Sequence, residues 1–273
     1  TVTLDGEDFT ALSGEALTRA RQKMKLIFQD PYSSLNPRMT VSDIIAEPID
    51  IAHTYKTRAE RDARVEQVMQ AVGLDLTHKY RYPHEFSGGQ RQRIGIARAI
   101  VLEPELVVCD EPVSALDVSV QAKVINLLGE LQEQYGLAYI FISHDLSVVK
   151  HIADTVMVMY LGHTMELAPK QELFDNPLHP YTQALLDVIP KIGHERIQDK
   201  KILEGDVPSP TNPPKGCCFH TRCPHCMKIC CERVPEMHEV GPEHTCACHL
   251  FDKDLSEEDR TPVAINAAVA ADL

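Results

Sequence analysis

No Gly-Lys dipeptide occurs anywhere in the 273 residues. The loop G-x-x-x-x-G-K-[ST], whose amides and lysine cradle nucleotide phosphates, is therefore missing from the sequence. Long apolar runs are missing too: no stretch approaches the roughly 18 residues that a membrane span needs. The first residues show none of the pattern of a secretory signal. Positive charge is in short supply, with 27 Lys and Arg against 40 Asp and Glu and a formal net charge of −13. That argues against a nucleic-acid partner, which requires a basic face. The acidic run Asp252–Asp259 reads as a solubility feature.

What is present is ordinary for a globular protein of one or two domains, with 44% hydrophobic and 25% charged residues. The nine cysteines are unevenly placed: Cys109 stands in an apolar strand, and the other eight lie between Cys217 and Cys248. Cys109 reads as an inert core thiol. Thiols packed as densely as the other eight suggest a metal site more than a disulfide framework.

Periodicity orders the chain. Val2-x-Leu4 followed by Asp5-Gly6 predicts a strand and hairpin turn. Leu12 to Lys23 predicts a helix with Ser13 as N-cap, and Met24 to Phe28 a buried strand. Helices are expected over Val41–Ile51, Arg58–Val72, Gly88–Val101, Ser119–Tyr135 and Leu146–Ile152. Buried strands are expected at Leu106–Asp110, Ala138–Ser143 and Thr155–Tyr160. The alternation predicts an α/β fold with a mainly parallel sheet and a helical insert from about 41 to 102. Beyond Pro177-Leu178-His179-Pro180 the rhythm stops. We expect a first domain over 1–190, a small Cys-rich lobe over 191–252 with its boundary near 190–205, and a frayed tail over 253–273.

Several residue patterns carry chemistry. Leu106–Asp110 followed by Glu111 is a strand delivering two adjacent carboxylates to its end. Asp110 suits Mg²⁺, which prefers oxygen ligands, and Glu111 suits the deprotonation of an attacking water. Ser87-Gly88-Gly89-Gln90 opens a helix whose free N–H groups suit a phosphate. The arginines that follow, Arg91, Arg93 and Arg98, read mostly as a solvated face. His144, after a buried strand, is placed to reach a phosphate, and Gln29, also at a strand end, offers an amide to Mg²⁺ or water.

The ordered set Gln29, Ser87–Gln90, Asp110-Glu111, Ser114-Ala115-Leu116-Asp117 and His144 resembles an ABC-type ATPase domain, in the order of its Q-loop, signature motif, Walker B, D-loop and switch histidine. Phe28–Pro37, Pro177–Thr182 and the Gly216–Pro224 segment resemble the oligopeptide/dipeptide importer subfamily, which nickel importers share. The resemblance implies a peripheral subunit at the cytoplasmic face of the membrane that binds ATP and Mg²⁺. Its implied partners are a second ATPase subunit, identical or not, two membrane permeases and, indirectly, an extracytoplasmic peptide-binding protein. It implies catalytic roles for Glu111, His144 and Gln29. Nucleotide contacts fall to Ser87, Gly88, Gly89, Gln90, Asp110 and Asp117, with Mg²⁺ at Asp110 and Gln29. Members of the family carry a P-loop upstream of the Q-loop, so we expect a fragment that begins mid-domain and is inactive alone.

Cys217, Cys223, Cys230 and Cys248 are spaced C-x5-C-x6-C-x17-C. Similar cysteines in this subfamily are associated with an iron–sulfur cluster. Four thiolates suit [4Fe–4S] or structural Zn²⁺, and unligated thiols are a third reading. Two further functions compete with peptide import: a soluble, non-transport regulator of the same class, and a metal-sensing interaction module on a dead ATPase scaffold.

Overall fold

The computed structural model describes residues 1–188, 203 and 205–264. Its contacts divide the chain into two compact units, Thr1–Val148 and Val149–Leu273.

The first unit opens with a small hairpin, β1 (Thr3–Leu4) and β2 (Glu7–Asp8). Asp5 and Gly6 turn it with φ of 52° and 79°, the left-handed pair a tight hairpin demands. Helix α1 (Gly14–Lys23) follows Ser13, whose side chain makes no capping bond, and leads into β3 (Met24–Ile27). Helices α2 (Val41–Ala52), α3 (Arg58–Ala71) and α4 (Gly88–Ile100) then come before β4 (Leu106–Asp110). After α5 (Val118–Tyr135) the chain enters β5 (Ala138–Ile142) and α6 (Leu146–Ile152).

Strands β3, β4 and β5 form a parallel sheet in that order, with Leu26 opposite Val108 and Cys109 opposite Phe141. Helices α2 to α4 are thus an insert between two neighbouring strands. Their apolar stripes make one core: Ile44, Ile45 and Ile49 of α2, Val65, Val68 and Met69 of α3, and Ile94 and Ile100 of α4 are buried. Local signals fix the helix ends. Thr57 and Glu60 form a reciprocal capping box on α3, and Gly73 and Gly136, at φ of 68° and 65°, turn the chain after α3 and α5.

The second unit is built on an antiparallel sheet. β6 (Thr155–Tyr160) and β7 (His163–Pro169) form a hairpin, followed by α7 (Lys170–Asp175) and α8 (Pro180–Asp187). Then come α9 (Lys228–Glu232), β8 (His238–Gly241) and β9 (His244–Cys246). The sheet order is β6-β7-β9-β8. The strand expected at Thr155–Tyr160 is therefore part of an antiparallel sheet and not of the parallel one. Leu161 and Gly162, at φ of 46° and 79°, turn the chain straight back on itself.

The boundary expected near 190–205 falls largely outside the described residues, and the contacts divide the chain at 148/149 instead. The reason is strand pairing: Glu166 lies opposite Cys246, so strands from both sides of residue 190 share one sheet. The frayed tail expected over 253–273 is also different where it is described. Val263 N–H donates to Cys226 O at 2.9 Å, and Lys228 N–H donates to Thr261 O at 2.9 Å. Residues 265–273 lie outside the described residues.

Candidate active site

The parallel sheet ends with polar residues on its carboxyl edge. Gln29 follows β3, Asp110 closes β4 with Glu111 after it, and His144 follows β5. Three of them meet. Gln29 Nε2 donates to Glu111 Oε2 at 2.8 Å, and His144 Nδ1 lies 3.2 Å from Glu111 Oε1. Residues far apart in sequence thus hold one carboxylate from two sides. With its Nε2 spent on Glu111, Gln29 keeps its amide oxygen as an open acceptor.

Glu111 is held in an unusual backbone conformation, with φ of 42°. A side chain other than glycine rarely takes the left-handed region, and such strain persists where surrounding bonds over-determine it. Here Glu111 N–H donates to Ile142 O at 3.1 Å, and Ser114 donates to Glu111 O through its N–H at 3.2 Å and its hydroxyl at 3.0 Å. The turn re-aims the carboxylate as the chain leaves the strand. Its side chain is one-quarter exposed, against 71% for His144, so the carboxylate is sheltered beside an open imidazole.

The Ser87–Gln90 segment opens α4 with a capping box. Gln90 N–H donates to Ser87 Oγ at 3.4 Å, and Ser87 N–H donates to Gln90 Oε1 at 3.1 Å. Asp117 caps α5 in the same way, accepting from Val120 N–H at 3.0 Å and from the Ser119 hydroxyl at 2.7 Å. The Ser119 hydroxyl, foremost, holds the Asp117 carboxyl below its ordinary range. The two helix starts are neighbours. A Cβ on Gly89 would stand 2.4 Å from Val120 Cγ1, and one on Gly88 would stand 3.5 Å from Leu116 Cδ2. Gly89 is thus required by the approach of α5.

The arginines of α4 differ from the solvated face expected of them. Arg91 is buried, and its Nε donates to Pro83 O at 2.7 Å. Its guanidinium also lies 3.8 Å from the centre of the Tyr32 ring. Arg98 Nη1 donates to Ser34 O at 2.6 Å, and burial lowers the pKa of its guanidinium. Arg93 donates to Val72 O. Two of the three therefore fasten the loop after Gln29 to α4, one through a backbone carbonyl and one through an aromatic ring. An arginine run on a helix gives no hint of this in sequence, since the acceptors lie 64 residues away for Arg98.

Asp110 and Gln29 offer oxygen donors suited to Mg²⁺. That ion needs only one or two protein ligands, because it keeps waters and takes substrate phosphates. The residues at the sheet edge fit it.

The cysteines do not fit a metal centre in the same way. Cys217, Cys223 and Cys230 share one buried cluster with Cys218, Cys226 and Phe219, and Cys248 is buried as well. Among the described residues, no three of His, Cys, Asp and Glu gather into a group that could hold a metal ion. Burial pushes the Cys223 thiol up to about 12 and the Cys248 thiol up to about 11. A hydrogen bond from Cys226 draws Cys230 the other way, to about 7. Cys109 is fully buried and pushed up to about 12, the inert core thiol its strand setting predicts.

Known proteins resemble this chain. A family described as "ABC transporter" matches residues 1–114, and one described as "Oligopeptide/dipeptide transporter, C-terminal region" matches residues 165–230. The oligopeptide transport ATP-binding protein AppF of Bacillus subtilis is 57% identical over 253 residues, covering 90% of this chain and 75% of that protein. The putative oligopeptide transport ATP-binding protein YkfD of the same organism is 54% identical, covering 92% and 77%. Among solved structures, CbiO1 of Clostridium perfringens, part of the ABC transporter complex CbiONQ, superposes with a TM-score of 0.57 at 26% identity. That match covers 64% of this chain and 67% of that one.

Proposed function

Since the chain belongs to the ATP-binding subunits of oligopeptide transport within the ABC transporter family, we propose that it powers uptake of di- and oligopeptides across the cytoplasmic membrane. ATP-binding subunits of this family hydrolyse ATP to drive transport. The observation that carries the reading is the meeting of Gln29 and His144 on Glu111 at the edge of the parallel sheet.

In the proposed mechanism Glu111 accepts a proton from the water that attacks the γ-phosphorus, and ADP leaves as the bond to its terminal oxygen breaks. Gln29 and His144 fix the carboxylate beforehand, which lowers the entropic cost of alignment. His144 meets Glu111 through Nδ1, and its Nε2 would meet the γ-phosphate. Asp110 and the Gln29 amide oxygen would hold Mg²⁺, which neutralises phosphate charge when bound. The N–H groups opening α4 at Gly88 and Gly89 would face the nucleotide gripped by a second ATPase subunit. Asp117 would stand beside them.

The phosphate grip itself has no counterpart in these residues, because the sequence has no Gly-Lys pair. We infer that the 273 residues alone turn over ATP poorly and that they lend the signature helix to a partner. Two permeases, reached from the cytoplasmic face, and an extracytoplasmic peptide-binding protein complete the proposed system. Among the described residues no helix is long and apolar enough to cross a membrane. The names of the similar Bacillus proteins favour peptides over nickel as cargo.

The iron–sulfur or zinc reading of Cys217, Cys223, Cys230 and Cys248 plays no part in this mechanism. Its support is the spacing of those four cysteines in the sequence. Anaerobically purified protein is expected to carry iron with acid-labile sulfide, or zinc, in near-stoichiometric amount if those thiols are ligands. Metal-free protein with an intact fold assigns them to the core.

The test of the ATPase reading uses the assembled transporter with a P-loop restored ahead of these residues. Glu111→Gln is expected to lower ATP turnover at least about 100-fold while ATP still holds the two subunits together. Turnover near the unsubstituted rate would remove Glu111 as the base.

A further inference from the structure

The turn-rich loop from Glu111 to Asp117 joins the carboxylate at the edge of the parallel sheet to the cap of α5. Two carbonyls of this loop face the first turns of α5. Gln121 Nε2 donates to Val113 O and to Leu116 O, each at 3.1 Å. Backbone carbonyls can only accept, so the nitrogen of this amide, and not its oxygen, lies between them. A primary amide nitrogen carries two hydrogens, one for each carbonyl. Gln121 is partly buried, which strengthens both bonds against competition from water.

The bridged loop reaches a functional group at each end. At its start, Glu111 is held at φ of 42°, with Ser114 donating to Glu111 O through its N–H at 3.2 Å and its hydroxyl at 3.0 Å. Leu116 N–H donates to Val113 O at 3.1 Å, so the two residues that Gln121 bridges are also bonded to each other. At its end, Leu116 Cδ2 and Val120 Cγ1 stand against the positions that a Cβ on Gly88 and on Gly89 would take. A left-handed residue other than glycine keeps its conformation only where its surroundings over-determine it. Loss of the bridge would free Val113 and Leu116 to relax, and Ser114 between them would carry that relaxation to Glu111.

We propose that Gln121 is a positioning residue for ATP hydrolysis. Its amide fixes the turn that aims Glu111 and ties that turn to the start of α4. It acts through the loop and not on the reacting atoms. The proposal rests on the reading of Glu111 as the base.

Two substitutions separate the donor from the shape. Gln121→Met keeps the length and bulk of the side chain without an N–H, and Gln121→Arg alters the bulk but keeps N–H donors. In the assembled transporter with a P-loop restored, Gln121→Met is expected to lower kcat at least about tenfold with KM for ATP unchanged, because a misaimed base slows the chemical step. Gln121→Arg should recover most of that loss. Gln121→Glu, which has the shape of glutamine but turns lone pairs toward both carbonyls, should match Gln121→Met. In the 273-residue chain itself, the Ser114 and Leu116 amides should exchange hydrogen at least about tenfold faster in Gln121→Met and regain protection in Gln121→Arg. Unsubstituted turnover or unchanged exchange in Gln121→Met overturns the proposal. So does an equal loss in the Met and Arg variants, which would make Gln121 a packing residue, or a raised KM at unchanged kcat. Glu111→Gln, measured beside them, keeps the two readings apart. Its turnover near the unsubstituted rate removes the base, whereas its loss beside normal turnover in Gln121→Met removes only the bridge.

Discussion

His179 is 1% exposed, and its Nδ1 accepts from Tyr181 N–H at 3.0 Å to start α8. Burial pushes its pKa down from 6.5 to about 4, with the charge of nearby Glu166 opposing the shift. The unfolded chain thus takes up this proton before the folded one. The contribution to stability is whole above about pH 6.5 and drains away as the pH falls toward 4, by roughly 3 kcal/mol in all. Urea midpoints measured from pH 7 to 4 should fall steeply for the natural chain. They should fall less steeply for His179→Asn, which keeps an acceptor for the cap and removes the titrating ring. Equal slopes would show that His179 is solvated or already charged. The Pro177–Thr182 segment stands out in the sequence, but its burial depends on Glu166, a residue on β7 that no local pattern marks. Residue identity was legible; the partner was not.

At the scale of elements, the start of α4 shows why a glycine pair is read incompletely from sequence. The pattern Ser87-Gly88-Gly89-Gln90 announces a capped helix, and the capping box is formed. It gives no means of separating the two glycines, which packing treats differently. Gly88→Ala places its Cβ in ordinary contact with Leu116, whereas Gly89→Ala drives one into Val120, whose branched side chain has little rotamer freedom within α5. Gly88→Ala should leave the unfolding midpoint nearly unchanged, and Gly89→Ala should cost about 1–3 kcal/mol by the same denaturation assay. Comparable midpoints would mean that α4 and α5 separate easily. Helices and strands with strong periodicity were readable to within a residue or two at most ends, as for α3 and β4. The short strands β8 and β9 were not, because three or four residues carry too little periodic signal.

At the scale of the molecule, the order of motifs along the chain was enough to assign the family, because each motif is local: a turn, a cap, a strand end. The sequence by itself determined those pieces, the α/β alternation up to Ile152 and the helical insert between β3 and β4. Tertiary structure alone decided which pieces meet. It joined Gln29 and His144 to Glu111 across separations of 82 and 33 positions along the chain. It turned Arg91 and Arg98 from a solvated stripe into clamps on the loop of residues 28–37. It also paired strands from either side of residue 190, which moved the division of the chain to Val148/Val149. The physical reason is common to all three. Hydrogen-bond periodicity and capping act over a few residues and leave their mark in sequence. Long-range pairing is fixed by which buried polar groups find partners when the core closes, and that is settled only in three dimensions.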